Sequence, residues 1–112
     1  MTQYAVLVYQ PAPADPADLP KEEMDAHIAQ EELIRSKGGQ IVAAFGLHPS
    51  TMATSIKGDV VTDGPFIEAK EVIAGFYILE ARDLDHAIEM ARTNPATWHG
   101  GVEIRPLYGY DE

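Results

Sequence analysis

The alternation of apolar and polar positions divides the chain into short blocks, most of them of strand type. Tyr4 to Gln10 (YAVLVYQ) is short and rich in β-branched and aromatic residues, as a buried strand should be. Prolines at 11, 13 and 16 then interrupt the chain, so this stretch neither extends the strand nor begins a helix. Pro20 near a helix start, with Glu22 and Glu23 in the first turn where they favour the dipole, predicts a helix running to about Lys37 and ending at Gly38-Gly39. Gln40 to Leu47 (QIVAAFGL) reads as a second strand. Met52 to Ile56 and Asp59 to Thr62 pair as a hairpin across Lys57-Gly58, the glycine supplying the positive φ of a tight turn. Val72 to Ala81 (VIAGFYILEA) is the strongest strand signal. Asp83 caps a second helix with Leu84, Ala87, Ile88 and Ala91 on one stripe, and Asn94-Pro95 stops it. Val102 to Leu107 (VEIRPL) alternates with period two and forms the last strand.

The order is β-α-β, a hairpin, then β-α-β. This is the signature of an α+β, ferredoxin-like split βαβ sandwich, with one antiparallel sheet carrying two helices on one face. The other face stays open. The long central strand directs Phe76 and Ile78 to one side and Tyr77 and Leu79 to the other, so both faces carry apolar groups, and the uncovered one is expected to pack against a second copy as a homodimer.

Composition narrows the functional classes. At 112 residues the chain forms one domain, residues 1–112, large enough to bury roughly two thirds of the surface of its unfolded form. The absence of cysteine removes disulfides, thiol catalysis and cysteine zinc sites, and makes a reducing cytoplasm the expected location. No apolar run approaches the ~20 residues of a membrane span, and the N-terminus has no basic leader, so no membrane partner is expected. Eight Lys and Arg against eighteen Asp and Glu give a formal charge of -10, which repels a phosphate backbone, so no nucleic-acid partner is expected either.

One segment stands apart. "VVTDGPFIEAKE", residues 60–71, packs a turn and three carboxylates between two strands. Asp63-Gly64-Pro65-Phe66 is followed by Glu68, Lys70-Glu71, Gly75 and a terminal Glu103-x-Arg105-Pro106, and in this order and spacing the chain resembles the DGPF branch of the YCII-related family over essentially its whole length. The resemblance implies a ferredoxin-like fold of the dimeric α/β-barrel type. The wider fold group includes small lyases, isomerases and cofactor-free oxygenases acting on compact molecules. It also implies a histidine in the first helix some eleven residues before its terminal glycine, a spacing matched by His27 and Gly38, paired with an aspartate as an acid/base dyad. The simpler YCII branch carries Asp-Pro after the second helix, whereas this chain has Asn94-Pro95.

The motif turn can be read in two ways. Asp63 can fold back on the turn's own N-H groups as an Asx-turn, or the same turn can hold its carboxylate at the edge of a cleft with Phe66 as a wall. In the first helix Met24, His27, Ile28, Glu31 and Ile34 share one face, the candidate to lie on the sheet, and Ala26, Ala29 and Leu33 form a competing stripe. The candidate catalytic set is therefore His27 as general acid or base, with Asp63 as its carboxylate and Glu31, one turn along the helix, as the fallback. His48, His86 and His99 are too scattered for a metal set, and the chain has no G-x-S-x-G and no phosphate loop, so no metal and no cofactor are expected. Tyr9 and Tyr77 read as core or interface residues. Two functions follow: a small cofactor-independent lyase or isomerase acting on a compact molecule, or a dimeric ligand-binding or accessory protein without chemistry. The resemblance adds a regulatory setting to the second, because the DGPF branch is often associated with sigma-factor genes.

Overall fold

The computed structural model describes residues 1–110. Its elements are β1 (Thr2–Pro11), α1 (Lys21–Ser36), β2 (Gln40–Gly46), β3 (Thr54–Lys57), β4 (Val60–Asp63), β5 (Glu71–Ala81), α2 (Leu84–Ala91) and β6 (Gly101–Pro106), with a short 3-10 turn at Pro95–Trp98. These are the elements expected from the hydrophobic pattern, with ends moved by a residue or two. β2, β5, β1 and β6 lie side by side in that order, every neighbour antiparallel, and β3 and β4 form a separate hairpin between β2 and β5. The order is that of a ferredoxin-like α+β sandwich, and the sheet does not close into a barrel.

Strand alternation sorts the two faces. On β1, Tyr4, Val6 and Val8 are buried beneath the helices, and on β5 so are Tyr77, Leu79 and Ala81. Cross-strand register joins these sets directly: Tyr4 stands opposite Leu79, and Val6 opposite Tyr77. Ile34 from α1 and Ala87, Met90 and Ala91 from α2 complete the core, with Ile41, Val102 and Ile104 packed at its edges. The opposite face is partly open and carries Ala5, Leu7, Ile78 and the Phe45–Phe76 pair, whose ring centroids lie 5.6 Å apart. Gly75 allows β2 to come close, since a side chain there would meet the Phe45 carbonyl at 2.6 Å.

Both helices are turned slightly from their expected orientations. In α2, Leu84 is half exposed, while His86, Ala87, Met90 and Ala91 face inward. His86 is a clamp between elements: its Nδ1 accepts from the Arg82 backbone N-H at 3.1 Å, which leaves Nε2 to donate to the Lys37 carbonyl at 2.7 Å. The start of α2 is thereby tied to the C-terminal end of α1. Asp83 caps α2 by accepting from the His86 N-H at 2.9 Å.

In α1 the buried residues are Glu23, Gln30 and Ile34. Of the face expected to lie on the sheet, Ile34 does so and His27 is half-buried, but Ile28 is 73% exposed. Ala29 and Leu33 of the competing stripe are exposed as well. Two polar residues point inward because partners wait for them across the core.

Leu79 and Ile28 give the sharpest contrast between the inward and outward faces. Leu79→Ala is expected to cost about 2–5 kcal/mol in equilibrium unfolding, whereas Ile28→Ala should stay within about 0.5 kcal/mol of the parent; denaturant titration of both variants checks this.

Candidate functional site

The inward polar residues of α1 are bound to three different elements. From β1, Gln10 Nε2 donates to Glu23 Oε2 at 2.8 Å. Gln30 Nε2 donates to the Tyr77 hydroxyl on β5 at 3.2 Å, and Gln30 Oε1 accepts from Asn94 Nδ2 at 2.9 Å. Asn94 also accepts from the Ala96 N-H at 2.8 Å. His99 Nε2 lies 3.4 Å from the other oxygen of Glu23. Glu23 is only 2% exposed, so its hydrogen bonds replace the water it has lost.

Between this half of α1, the proline-rich loop and the sheet lies a cavity of about 840 Å³. Its apolar walls include Met24 and Ile28 on the helix and Ile41, Ala44 and Leu47 on and just after β2. Polar groups enter from Gln10, Glu23, His27, Gln30, Glu31, His48, Tyr77, Asn94 and His99. The face of α1 built from Met24, His27, Ile28 and Glu31 overlooks the hollow and does not close onto the sheet.

His27 stands on the cavity wall, one turn from Glu23 in one direction and from Glu31 in the other. Burial lowers its pKa from the usual histidine value near 6.5, and the nearby Glu23 charge opposes this more weakly. The ring is therefore held neutral at pH 7, in the form that accepts a proton. Glu31 lines the same cavity. Three histidines share these walls, yet among the described residues no group of three or more His, Asp or Glu is placed to hold a metal ion.

Asp63 is elsewhere. It ends β4, exposed, and is not part of these walls. The following turn is shaped by backbone: Gly64, at φ +103, donates its N-H to the Ala53 carbonyl at 2.7 Å and accepts from Ser55 Oγ at 2.7 Å. Among the described residues the Asp63 carboxylate makes no Asx-turn bond. Pro65 and Phe66 border a second hollow of about 590 Å³, which shares only Leu47 and His48 with the first. Within one chain the motif turn and α1 thus face different hollows. Residue patterning missed Glu23, His48 and His99 as parts of the site. Glu23, four residues before His27, had a spacing signal; the two histidines had none, because the fold alone brings them in.

The YCII-related domain family matches residues 2–110. The chain belongs to the YCII-related family. An uncharacterised protein of Rhizobium meliloti (strain 1021) is 34% identical over 118 residues, covering 96% of this chain and 93% of its own length. The YCII-related assignment thus spans the whole fold, α1 and its cavity included, and carries no stated reaction with it.

Because folding lowers the His27 pKa, the unfolded chain binds this proton more readily, so stability must rise with pH through the window just below 6.5. His27→Gln is expected to flatten that part of the profile, as melting temperatures between pH 5 and 7.5 would reveal. Glu23→Ala strips the acceptor from the buried Gln10 amide and is expected to cost about 1–3 kcal/mol in denaturant unfolding.

Proposed function

We propose that this YCII-related protein binds a compact small molecule in the cavity beneath α1 and moves a proton on it, with His27 as the acid/base group, in the manner of a small lyase or isomerase. The observation that carries this reading is a half-buried, neutral imidazole on the wall of a mostly apolar hollow, flanked by Glu23 and Glu31. A neutral ring can take a proton from a bound molecule, and a neighbouring carboxylate stabilises the imidazolium that results. Glu31, exposed on the rim, is free to turn toward His27, whereas Glu23 is already bonded to Gln10. Asp63 joins such a site only if another copy of the chain brings it there. No cofactor enters this reading.

The open sheet face supports a homodimer. Leu7, Phe45, Phe76 and Ile78 present apolar surface there, and the neighbouring hairpin exposes Ile56, Val60, Val61 and, after it, Phe66 and Ile67. Pairing two such faces removes this area from water. No described helix is long and apolar enough to cross a membrane, and the cysteine-free composition suits a reducing cytoplasm.

A ligand-binding role without chemistry is favoured by one feature: the buried carboxylate nearest His27 is committed to structural hydrogen bonds with Gln10. His27→Ala separates the two. Against a panel of compact aromatic and carbonyl compounds, the enzyme reading expects turnover to fall about a hundredfold or more while affinity stays. Unchanged turnover in the variant would remove His27 from the chemistry. For the assembly, Ile78→Lys is expected to shift sedimentation from a dimeric to a monomeric mass with the helical signal kept.

A further inference from the structure

The hydrogen bonds beneath α1 have a fixed polarity, and it leaves one proton without an acceptor. Asn94 Oδ1 accepts from the Ala96 backbone N-H, so the other end of this amide, Nδ2, must donate, and it does so to Gln30 Oε1. Gln30 therefore turns its own Nε2 outward, to the Tyr77 hydroxyl at 3.2 Å and to Thr93 Oγ1 at 3.4 Å. Thr93 cannot reverse this, because its hydroxyl proton goes to the Met90 carbonyl at 2.7 Å. A backbone donor at one end and a backbone acceptor at the other thus set every bond in the chain. Tyr77 is forced to accept, and among the described residues nothing accepts from its O-H. The residue is 4% exposed, and it lines the cavity together with Gln30 and Asn94. A donor buried to that degree without a partner is costly, and a ligand oxygen would supply the missing acceptor.

We propose that Tyr77 is an oxygen-binding residue of the cavity, donating a hydrogen bond from its hydroxyl to the carbonyl or hydroxyl oxygen of an uncharged, largely apolar ligand. Burial pushes the hydroxyl pKa up to about 12, only partly offset by the Gln30 and Asn94 amides, so the group remains a donor across the physiological range. The same walls argue against an anionic ligand. They include Asp15, Asp18, Glu23 and Glu31 and contain no lysine or arginine, so a carboxylate or phosphate would meet like charge with no permanent cation to offset it. The inference rests on the cavity being the binding site, as in the proposed function, and not on His27 being the base. If both hold, they fit together: His27 lies one turn before Gln30 on α1, and a proton taken by the imidazole from a carbon beside a carbonyl sends the bonding pair to the oxygen held by Tyr77.

The test uses acetophenone, ethylbenzene and benzoate as probes, titrated into the isotope-labelled full-length protein and followed by NMR. Wild-type protein is expected to bind acetophenone about tenfold more tightly than ethylbenzene, which lacks the oxygen, and to bind benzoate more weakly than acetophenone. Tyr77→Phe should erase the preference for acetophenone and leave ethylbenzene unchanged. A preference that survives in Tyr77→Phe, no saturable binding of either neutral probe to wild type, or benzoate binding as tight as acetophenone would each overturn the proposal. Should Tyr77→Phe fail to fold, the ring-carbon signal of labelled Tyr77 in wild type must move with acetophenone and not with ethylbenzene; a signal indifferent to both overturns it as well. His27→Ala should retain the acetophenone preference whether or not it loses turnover, which keeps the two readings apart, and loss of the preference there would move the oxygen site to His27 and away from Tyr77.

Discussion

From Glu23 to Gln30, α1 is moored to the sheet by side-chain hydrogen bonds, and the site depends on that mooring. An ordinary amphipathic helix lays an apolar stripe on its sheet and leaves no space between them. Here Glu23 reaches Gln10 on β1, and Gln30 reaches Tyr77 on β5 and Asn94 beyond α2. Only further along, at Ile34, does apolar packing take over. Polar ties of fixed length hold the front of the helix where apolar collapse would have filled the gap. The cavity lies alongside these ties, with Met24, His27, Ile28 and Glu31 looking into it.

This arrangement couples stability to the chemistry the cavity can offer. Glu23 and Gln30, the inward polar side chains of α1, each have partners, which is the condition for burying them at tolerable cost. The partners also orient what they touch: Gln10 holds the Glu23 carboxylate, and the Asn94–Gln30 pair dictates which way Tyr77 can donate. A neutral His27 and a directed Tyr77 hydroxyl are then two features of one packing solution. The YCII-related fold supplies the frame, while the open sheet face and the hairpin leave apolar side chains such as Phe45, Ile56 and Val61 exposed.

The motif turn Asp63-Gly64-Pro65-Phe66 occupies a different part of the molecule. Its glycine takes a positive φ and is bonded on both sides to the β3 region, so the backbone of the turn accounts for Gly64 without a ligand. Phe66 remains 62% exposed and borders the second hollow. Turn chemistry was legible from residue type because it is local. The direction in which the turn faces was not, since it depends on how a hairpin projects from the sheet.

Order, type and approximate limits of the elements could be read directly from the chain, as could the sorting of Phe76 and Ile78 from Tyr77 and Leu79, because strand alternation, proline and glycine act over a few residues. The face of α1 could not. Its apolar residues support more than one stripe, and what turned Glu23 and Gln30 inward were partners 13, 47 and 64 residues away. Likewise His27 was visible as a candidate, while its depressed pKa, the company of His48 and His99, and the polarity imposed on Tyr77 came from long-range packing. Local sequence determined the secondary structure and the sheet's two faces; the tertiary structure alone decided which polar groups meet, because the free energy of burying a polar group is set by the partner it finds, and here that partner comes from a distant part of the chain.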